Sequence, residues 1–306
     1  MPKPSLCIRE KDLLASHRNR TLGMRELLSN LVESDLFDIS YHNDVLKTLR
    51  YDRATIIYYN DKKIYFDLWE YCSPTYTMQA YEANFDLIIK LQHKPLTPEI
   101  VEKWSKRKGL LQTLTPEQRW GYTQKVVPWT FFPSRMMMQF LGKEHELETL
   151  PIEQDGFFCG KSWRYRKNMM RYLERNGVEV LTSKQEHRNG RPLCDRDYIK
   201  KMRTSKYGIV LKGRASYYTE GKNRREMDYM MLKKPLLMNY SPYYYNSLEN
   251  GKHYILINEK TDWKNLETMY NINEIANNGY EWYQNNGSPI GSAKTFLQIM
   301  KERLDD

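Results

Sequence analysis

At 306 residues the chain can bury a sizeable core, as one large domain or two of ordinary size. Its hydrophobic content of 40% includes no apolar run near the ~18 residues that suggest a bilayer span. A formal charge of +10 calls for an anionic partner or a well-solvated surface, and the lysines and arginines are spread along the chain, not gathered in one tail. That balance leaves three readings open: a diphosphate-bearing cofactor, a nucleic acid, or nothing specific. The 24 tyrosines do not separate them, because tyrosine stacks on sugar rings and bases alike. The opening MPKPSLCIREKD has neither the apolar core nor the cleavage pattern of a signal peptide, so cytoplasmic residence is the expectation. Cys7, Cys72, Cys159 and Cys194 lie far apart without a C-x-x-C pair, which suits buried thiols better than disulfides or zinc.

The first half opens with a strand around Leu6–Arg9 and a helix over Arg20–Glu33 with leucines at helical spacing. Short apolar runs follow at Thr55–Tyr59, Lys63–Leu68, Phe85–Leu91 and Lys125–Thr130. Helical stretches between them, such as Pro98–Lys106 with proline at its first position, make an alternating βα pattern. Alternation of this kind predicts a largely parallel sheet covered on both faces. Pro128, Pro133 and the acidic stretch near Glu144–Glu153 mark the end of this half, with a boundary near residue 150.

The second half restarts the pattern. Gly156–Cys159 reads as a strand ending in Gly160, and Lys161-Ser162 opens a basic helix to about Asn176, with Trp163, Met169, Met170 and Leu173 on its apolar face. Gly177 ends that helix, Val178–Leu181 is a strand, and the helix Asp195–Arg203 leads into the strand Tyr207–Leu211. A polar loop, a helix opening near Arg224, and strands at Pro235–Met238 and His253–Ile257 follow. Strand, glycine turn, helix N-terminus and strand form the unit in which doubly wound folds bind phosphate, outside the carboxyl ends of the strands. Neither G-x-G-x-x-G nor G-x-x-x-x-G-K-[ST] occurs, which disfavours a dinucleotide dehydrogenase and a P-loop NTPase. The absence of a G-x-S-x-G elbow leaves a serine hydrolase without support.

The helix opening near Arg224 carries Arg225-Glu226-Met227-Asp228, then YMMLK, then Lys234-Pro235-Leu236-Leu237, and downstream comes Leu248-Glu249-Asn250-Gly251-Lys252-His253-Tyr254. These segments resemble the donor-binding domain of GT-B glycosyltransferases, particularly the exostosin-like and protein O-glucosyltransferase-like groups. In those families an R-x-x-E motif at a helix start precedes a small-residue turn, a K-P-hydrophobic strand and an L-x-x-G-x-H-Y segment. Asp228 stands where the families usually have Glu, and Lys233 where they usually have Gly. The resemblance spans roughly residues 155–260, about a third of the chain.

The resemblance implies an α/β fold of two Rossmann-like domains with parallel sheets facing a central cleft. Residues 1–150 would form the acceptor side and 151–290 the nucleotide-sugar domain, with 291–306 a C-terminal helix packing back on the first domain. It implies a metal-independent transfer of a sugar from a nucleotide sugar, a UDP-sugar above all, to a hydroxyl acceptor, with no tightly bound cofactor; an inverting outcome rests on Asp67 acting as the base. Gly160, Lys161, Ser162 and Arg164 would form one phosphate-facing turn, with Lys212, Gly213 and Arg214 opposite. Arg225 would neutralise the departing diphosphate, and Asp228, or else Glu226, would hold the ribose. The alternative for Lys161, Arg164 and Arg166 is a solvated helix face, and Arg225 with Asp228 also fits a simple i,i+3 ion pair.

For the acceptor side, Lys63-Ile-Tyr-Phe-Asp67-Leu-Trp69-Glu70-Tyr71 is a strand ending in two carboxylates among aromatics. Asp67 or Glu70 could take the acceptor proton as the hydroxyl attacks, while Trp69 and Tyr71 stack on a sugar ring. Lys90, on the strand Phe85–Gln92, completes an acidic-strand, lysine-strand arrangement like that of some related glycosyltransferases. The competing reading makes Asp67 a helix N-cap and Trp69 a core residue. Glu10, Asp12, His17 and His93 are rival bases. Asp195-Arg196-Asp197 is a D-x-D tripeptide, but capping and first-turn charge on a helix explain it without a metal. The acceptor itself is open between a glycan or glycoprotein and a hydroxymethylated DNA base, as in phage DNA glucosyltransferases. A non-catalytic nucleic-acid-binding α/β protein is the third possibility, although no helix-turn-helix, zinc-finger or RNA-recognition signature occurs.

Overall fold

Short runs rich in β-branched and aromatic residues become strands in two separate sheets of a computed structural model. It describes residues 2–13, 24–43, 54–67, 84–90, 115, 117, 121, 124–129, 150–160, 166–182, 195–212 and 224–305. The chain divides into two compact units. The first comprises Met1–Phe132, Tyr243–Asn246 and Ser288–Asp306, and the second Pro133–Pro242 and Ser247–Gly287.

In the first unit the described elements are β1 (Ser5–Arg9), α1 (Glu10–Leu13), α2 (Met24–Glu33), β2 (Asp38–His42), β3 (Ala54–Tyr59), β4 (Lys62–Asp67), β5 (Leu87–Lys90) and β6 (Val126–Pro128). They form a six-stranded sheet of order β2-β1-β3-β4-β5-β6. All pairings are parallel except those of β3, which runs against both β1 and β4. The expectation of a helix between every pair of strands fails here for a local reason. Tyr59 pairs with Lys62, so only Asn60 and Asp61 join β3 to β4, and Asn60 takes the left-handed turn conformation at φ 51°. A two-residue turn can only reverse the chain. Pro98–Lys106 and the helix residues before Met24 lie outside the described residues.

In the second unit come β7 (Gln154–Gly160), α3 (Lys167–Arg175), β8 (Glu179–Thr182), α4 (Asp195–Thr204), β9 (Ser205–Val210), α5 (Arg224–Met231), β10 (Leu236–Met238) and β11 (Ile255–Leu256). A 3-10 turn at Trp263–Asn265 then leads into α6 (Leu266–Met269) and α7 (Ile272–Asn286). Every strand pair in this sheet is parallel, in the order β8-β7-β9-β10-β11. Counted from β7, that is the doubly wound order 2-1-3-4-5, in which the direction of winding reverses between the first and third strands. The switch therefore lies between β7 and β9. Both units are α/β and Rossmann-like, as expected from the sequence.

Two helices of the second unit end in the same way. Gly177, at φ 80°, follows α3, with Gly177 N–H donating to Glu174 O and Val178 N–H to Leu173 O. After α5, Lys233 N–H donates to Met230 O and Lys234 N–H to Tyr229 O, the same paired pattern, with Lys233 in the left-handed position at φ 54°. This explains why a glycine is the usual residue at the position Lys233 occupies. Met169, Met170 and Leu173 bury the apolar face of α3, as their spacing predicts; Trp163 lies outside the described residues.

The helix α8 (Pro289–Leu304) belongs to the first unit. Ser288 caps it by accepting from Gly291 N–H at 3.0 Å, and Pro289 occupies its first turn. Ala293, Phe296, Ile299 and Met300 are fully buried in one core with Leu27, Leu28 and Leu31 of α2 and the sheet residues Ile57, Ile64 and Ile89. The Phe296 ring meets Phe37 edge-on at 5.9 Å and Trp129 at 6.2 Å. Burial of one such ring contributes about 2–3 kcal/mol. No helix among the described residues is long and apolar enough to cross a membrane.

Candidate functional site

In the second unit, parallel strands place all their carboxyl ends at one edge, and α5 begins at that edge because it follows β9. How closely it can approach is set by Gly208 in the middle of β9. A Cβ there would fall 2.4 Å from Tyr229 Cγ, so only glycine admits the Tyr229 ring. The Tyr229 hydroxyl then donates to Phe157 O on β7 at 2.6 Å, tying the helix across two strands. The first turn of α5, with Arg225 and Glu226, is held at the strand ends by this contact.

Around the switch between β7 and β9 the side chains form a cationic, aromatic cluster. The Arg225 guanidinium lies 5.7 Å from the centre of the Phe158 ring, and that of Arg166 lies 5.4 Å from it. Arg225 Nε donates to the Tyr198 hydroxyl at 2.9 Å. Arg166 Nε donates to Lys212 O at 2.6 Å and its Nη2 to Leu211 O at 3.1 Å, so this arginine closes the carboxyl end of β9. Lys212 N–H donates in turn to Asn239 Oδ1 at 2.7 Å, linking that end to the residue after β10. Two guanidinium groups thus lie close to one ring at the winding reversal.

The acids of the cluster are buried. Glu226 is 0% and Asp228 3% exposed. The Tyr240 hydroxyl donates to Glu226, and burial, followed by the neighbouring Glu226 charge, raises the Tyr240 phenol well above its usual range, so it stays a donor. Burial also raises the Tyr198 phenol, with the Arg225 charge pulling the other way. Of the donor residues expected from the sequence, Gly160, Lys212, Arg225, Glu226 and Asp228 fall in this region of the second unit. Lys161, Ser162, Arg164, Gly213 and Arg214 lie outside the described residues.

Arg166 departs from the solvated-face alternative: it is buried against β9 and Phe158. Phe158, Tyr198 and Tyr240 were not singled out from the sequence. The signal for Phe158 is a continuous apolar run on β7 and that for Tyr198 apolar-face spacing on α4, which mark core residues generally, while Tyr240, after β10, has neither. Asp195 is the first residue of α4 and Asp197 its third. Among the described residues no group of three or more His, Cys, Asp and Glu side chains gathers in a way that could hold a metal ion.

The first unit has its own polar edge. Asp67 ends β4 and Lys90 ends β5, register partners in adjacent parallel strands. Lys90 Nζ donates to Asp67 Oδ2 at 2.6 Å. Beside them, β3 runs the other way, so its first residues Ala54 and Thr55 share this edge, with Ala54 paired to Asp67. Thr55 Oγ1 donates to Asp12 Oδ2 at 2.5 Å, and Arg9 Nη1 lies 3.5 Å from Asp12 Oδ1. The antiparallel turn of β3 thus brings the rival base Asp12 to the same sheet edge as Asp67. Glu70, Trp69 and Tyr71, as well as His17 and His93, lie outside the described residues.

No protein-family model matches the chain, and no curated protein matches it in sequence. Among solved structures it is similar to Alr3699/HepE of Anabaena, determined in complex with UDP. That match has a TM-score of 0.36 and 12% identity over 74% of each chain. It is also similar to MnaA of S. aureus, determined with UDP, with a TM-score of 0.36 and 12% identity over 95% of this chain and 87% of that one. Fold class here follows from strand order and register alone.

Proposed function

We propose that the protein is a glycosyltransferase that moves a sugar from a nucleotide sugar, a UDP-sugar in the first instance, to a hydroxyl acceptor. One observation carries the proposal: Arg225 and Arg166 converge over Phe158 at the winding reversal of the β7–β11 sheet, where doubly wound folds take up phosphate-bearing ligands. The diphosphate is received by Arg225, the β7 end at Gly160 and the helix start of α5. Arg225, held by Tyr198, stabilises the negative charge that grows on the diphosphate as the glycosidic bond breaks. Asp228, one turn along α5 from Arg225, is the ribose ligand of this reading, with Glu226 the alternative. Lys161, Ser162, Arg164, Gly213 and Arg214 complete the donor set.

The first unit supplies the acceptor-side groups. Asp67 is the general base of this reading, with Lys90 holding its carboxylate in place. Glu70, Trp69 and Tyr71 are the further acceptor-side residues of this reading. A glycan or glycoprotein is the acceptor this reading takes.

The test is calorimetric titration with UDP, ADP and GDP, on the wild type and on Arg225→Ala. The expected result is saturable binding of UDP that Arg225→Ala weakens at least tenfold, the loss of one charge-assisted contact. Absence of binding by all three nucleotides, or unchanged UDP affinity in the variant, sinks the proposal.

A further inference from the structure

At the opposite edge of the same sheet, where β9 and β10 begin, lies a cavity of about 700 Å³. Its volume falls in the range of small-molecule pockets. Three lysines line it, Lys206, Lys233 and Lys234, against a single acid, Glu267. Glu267 is already engaged, by Lys206 and by the Tyr207 hydroxyl at 3.0 Å. Among the described residues neither Lys233 nor Lys234 has a carboxylate partner. Lys234 is partly withdrawn from water, and that burial, followed by the charge of Arg203, pulls its ammonium below the usual lysine range. Lys233 Nζ lies 5.9 Å from the centre of the Tyr280 ring, and among the described residues no carboxylate balances either charge.

The rest of the lining is apolar, amide or hydroxyl-bearing. Met269 is 60% and Ile152 53% exposed, two of the five large apolar side chains that stand out among the described residues, and both line this cavity. Ile272 and Ala276 line it from α7, and Asn271 and Asn273 add amides beside the lysines. Charged head and apolar wall on one concavity define an amphipathic anion.

We propose that this cavity is a second ligand site, for a small organic phosphate with an apolar body. The phosphate sits between Lys233 and Lys234, and the body packs on Met269, Ile152 and Ile272. Two lysines lining one cavity match the double charge of a phosphate dianion better than a monoanionic carboxylate. The site is independent of the nucleotide reading, since it lies at the amino ends of the strands and shares no residue with the cluster around Arg225.

Calorimetry at constant ionic strength with inorganic phosphate and phenyl phosphate tests it, on the wild type, Lys233→Gln, Lys234→Gln and Lys212→Gln. Expected is saturable binding of phenyl phosphate, tighter than inorganic phosphate, weakened about tenfold or more in the first two variants and kept in Lys212→Gln. Lys233 is exposed, so its variant keeps the test valid even if Lys234→Gln unfolds. No saturable binding, equal affinity for the two probes, undiminished binding in Lys233→Gln, or loss confined to Lys212→Gln overturns the proposal.

Discussion

Lys90 Nζ and Asp67 Oδ2 are 2.6 Å apart, with each side chain only 2% exposed, at the carboxyl ends of neighbouring parallel strands. Removing either charge strands the other in the interior, which costs about 3–5 kcal/mol, whereas replacing both with apolar residues of similar volume is close to neutral. Asp67→Asn and Lys90→Met are each expected to lower the urea midpoint strongly, and Asp67→Leu/Lys90→Met to restore most of it. If the restored double variant still transfers sugar at the wild-type rate, Asp67 serves the fold and Asp12 becomes the base to test.

Arg225 separates charge from geometry. Arg225→Lys keeps a cation but loses the planar group that faces Phe158 and donates to Tyr198. Turnover is expected to fall about a hundredfold, the scale on which a positioned transition-state donor contributes. The fall in UDP affinity should be smaller. Steady-state kinetics beside calorimetry distinguish the two effects, and weaker UDP binding with unchanged turnover would mean that Arg225 contributes to binding alone.

Gly208 is expected to tolerate no side chain. Gly208→Ala puts a Cβ 2.4 Å from Tyr229 Cγ and 2.8 Å from Tyr229 Cβ, the latter tied to the helix backbone. Overpacking of this kind costs about 1–3 kcal/mol, and the displaced α5 carries Arg225 with it. Lower thermal stability together with weaker UDP binding is the predicted outcome; normal values for both would mean that α5 can shift without disturbing the strand ends.

Lys233→Gly should move stability the other way. A lysine at φ 54° bears a left-handed strain of about 1 kcal/mol that glycine avoids. Chemical denaturation should show a net gain below that size, because the freer unfolded glycine offsets part of it. Lys233→Ala, which keeps the strain, is the control and should show no such gain.

His253 makes the second unit sensitive to acid. Its Nδ1 accepts from Glu249 N–H at 3.0 Å, which a protonated ring cannot do. Burial, then the charge of Lys252, pulls its pKa below the usual value, with Glu249 and Glu281 opposing. The folded value lies below the unfolded one of about 6.5. The corresponding stability is therefore present above pH 6.5 and lost as pH falls through the folded pKa. Unfolding free energy should decline between neutrality and pH 5 more steeply in the wild type than in His253→Asn, as urea titrations at each pH would show.

Much of the architecture was legible in one dimension because it depends on periodicity and punctuation. Met169, Met170 and Leu173 recur at helical spacing, and Gly177 stops the helix wherever that helix is placed. The alternation of short apolar runs with such helices was sufficient to identify two α/β units. The reversal at Asn60-Asp61 was missed because neither residue is glycine, and the strand β2, DISYH, was missed because it is an edge strand with a mostly exposed, polar face.

Local sequence also singled out Arg225, Glu226, Asp228, Asp67 and Lys90 as candidate site residues, at strand ends and helix starts. What it could not supply was their company. Tyr198 beside Arg225, Tyr240 beside Glu226, and Arg166 turned inward onto Lys212 O all join residues 14 to 46 positions apart. Such pairings exist only after strand order is set, because hydrogen bonds and ring contacts act over a few ångströms of space and carry no trace in sequence spacing. Periodicity determined the elements; the parallel stacking of β7, β9 and β10 decided which charges meet.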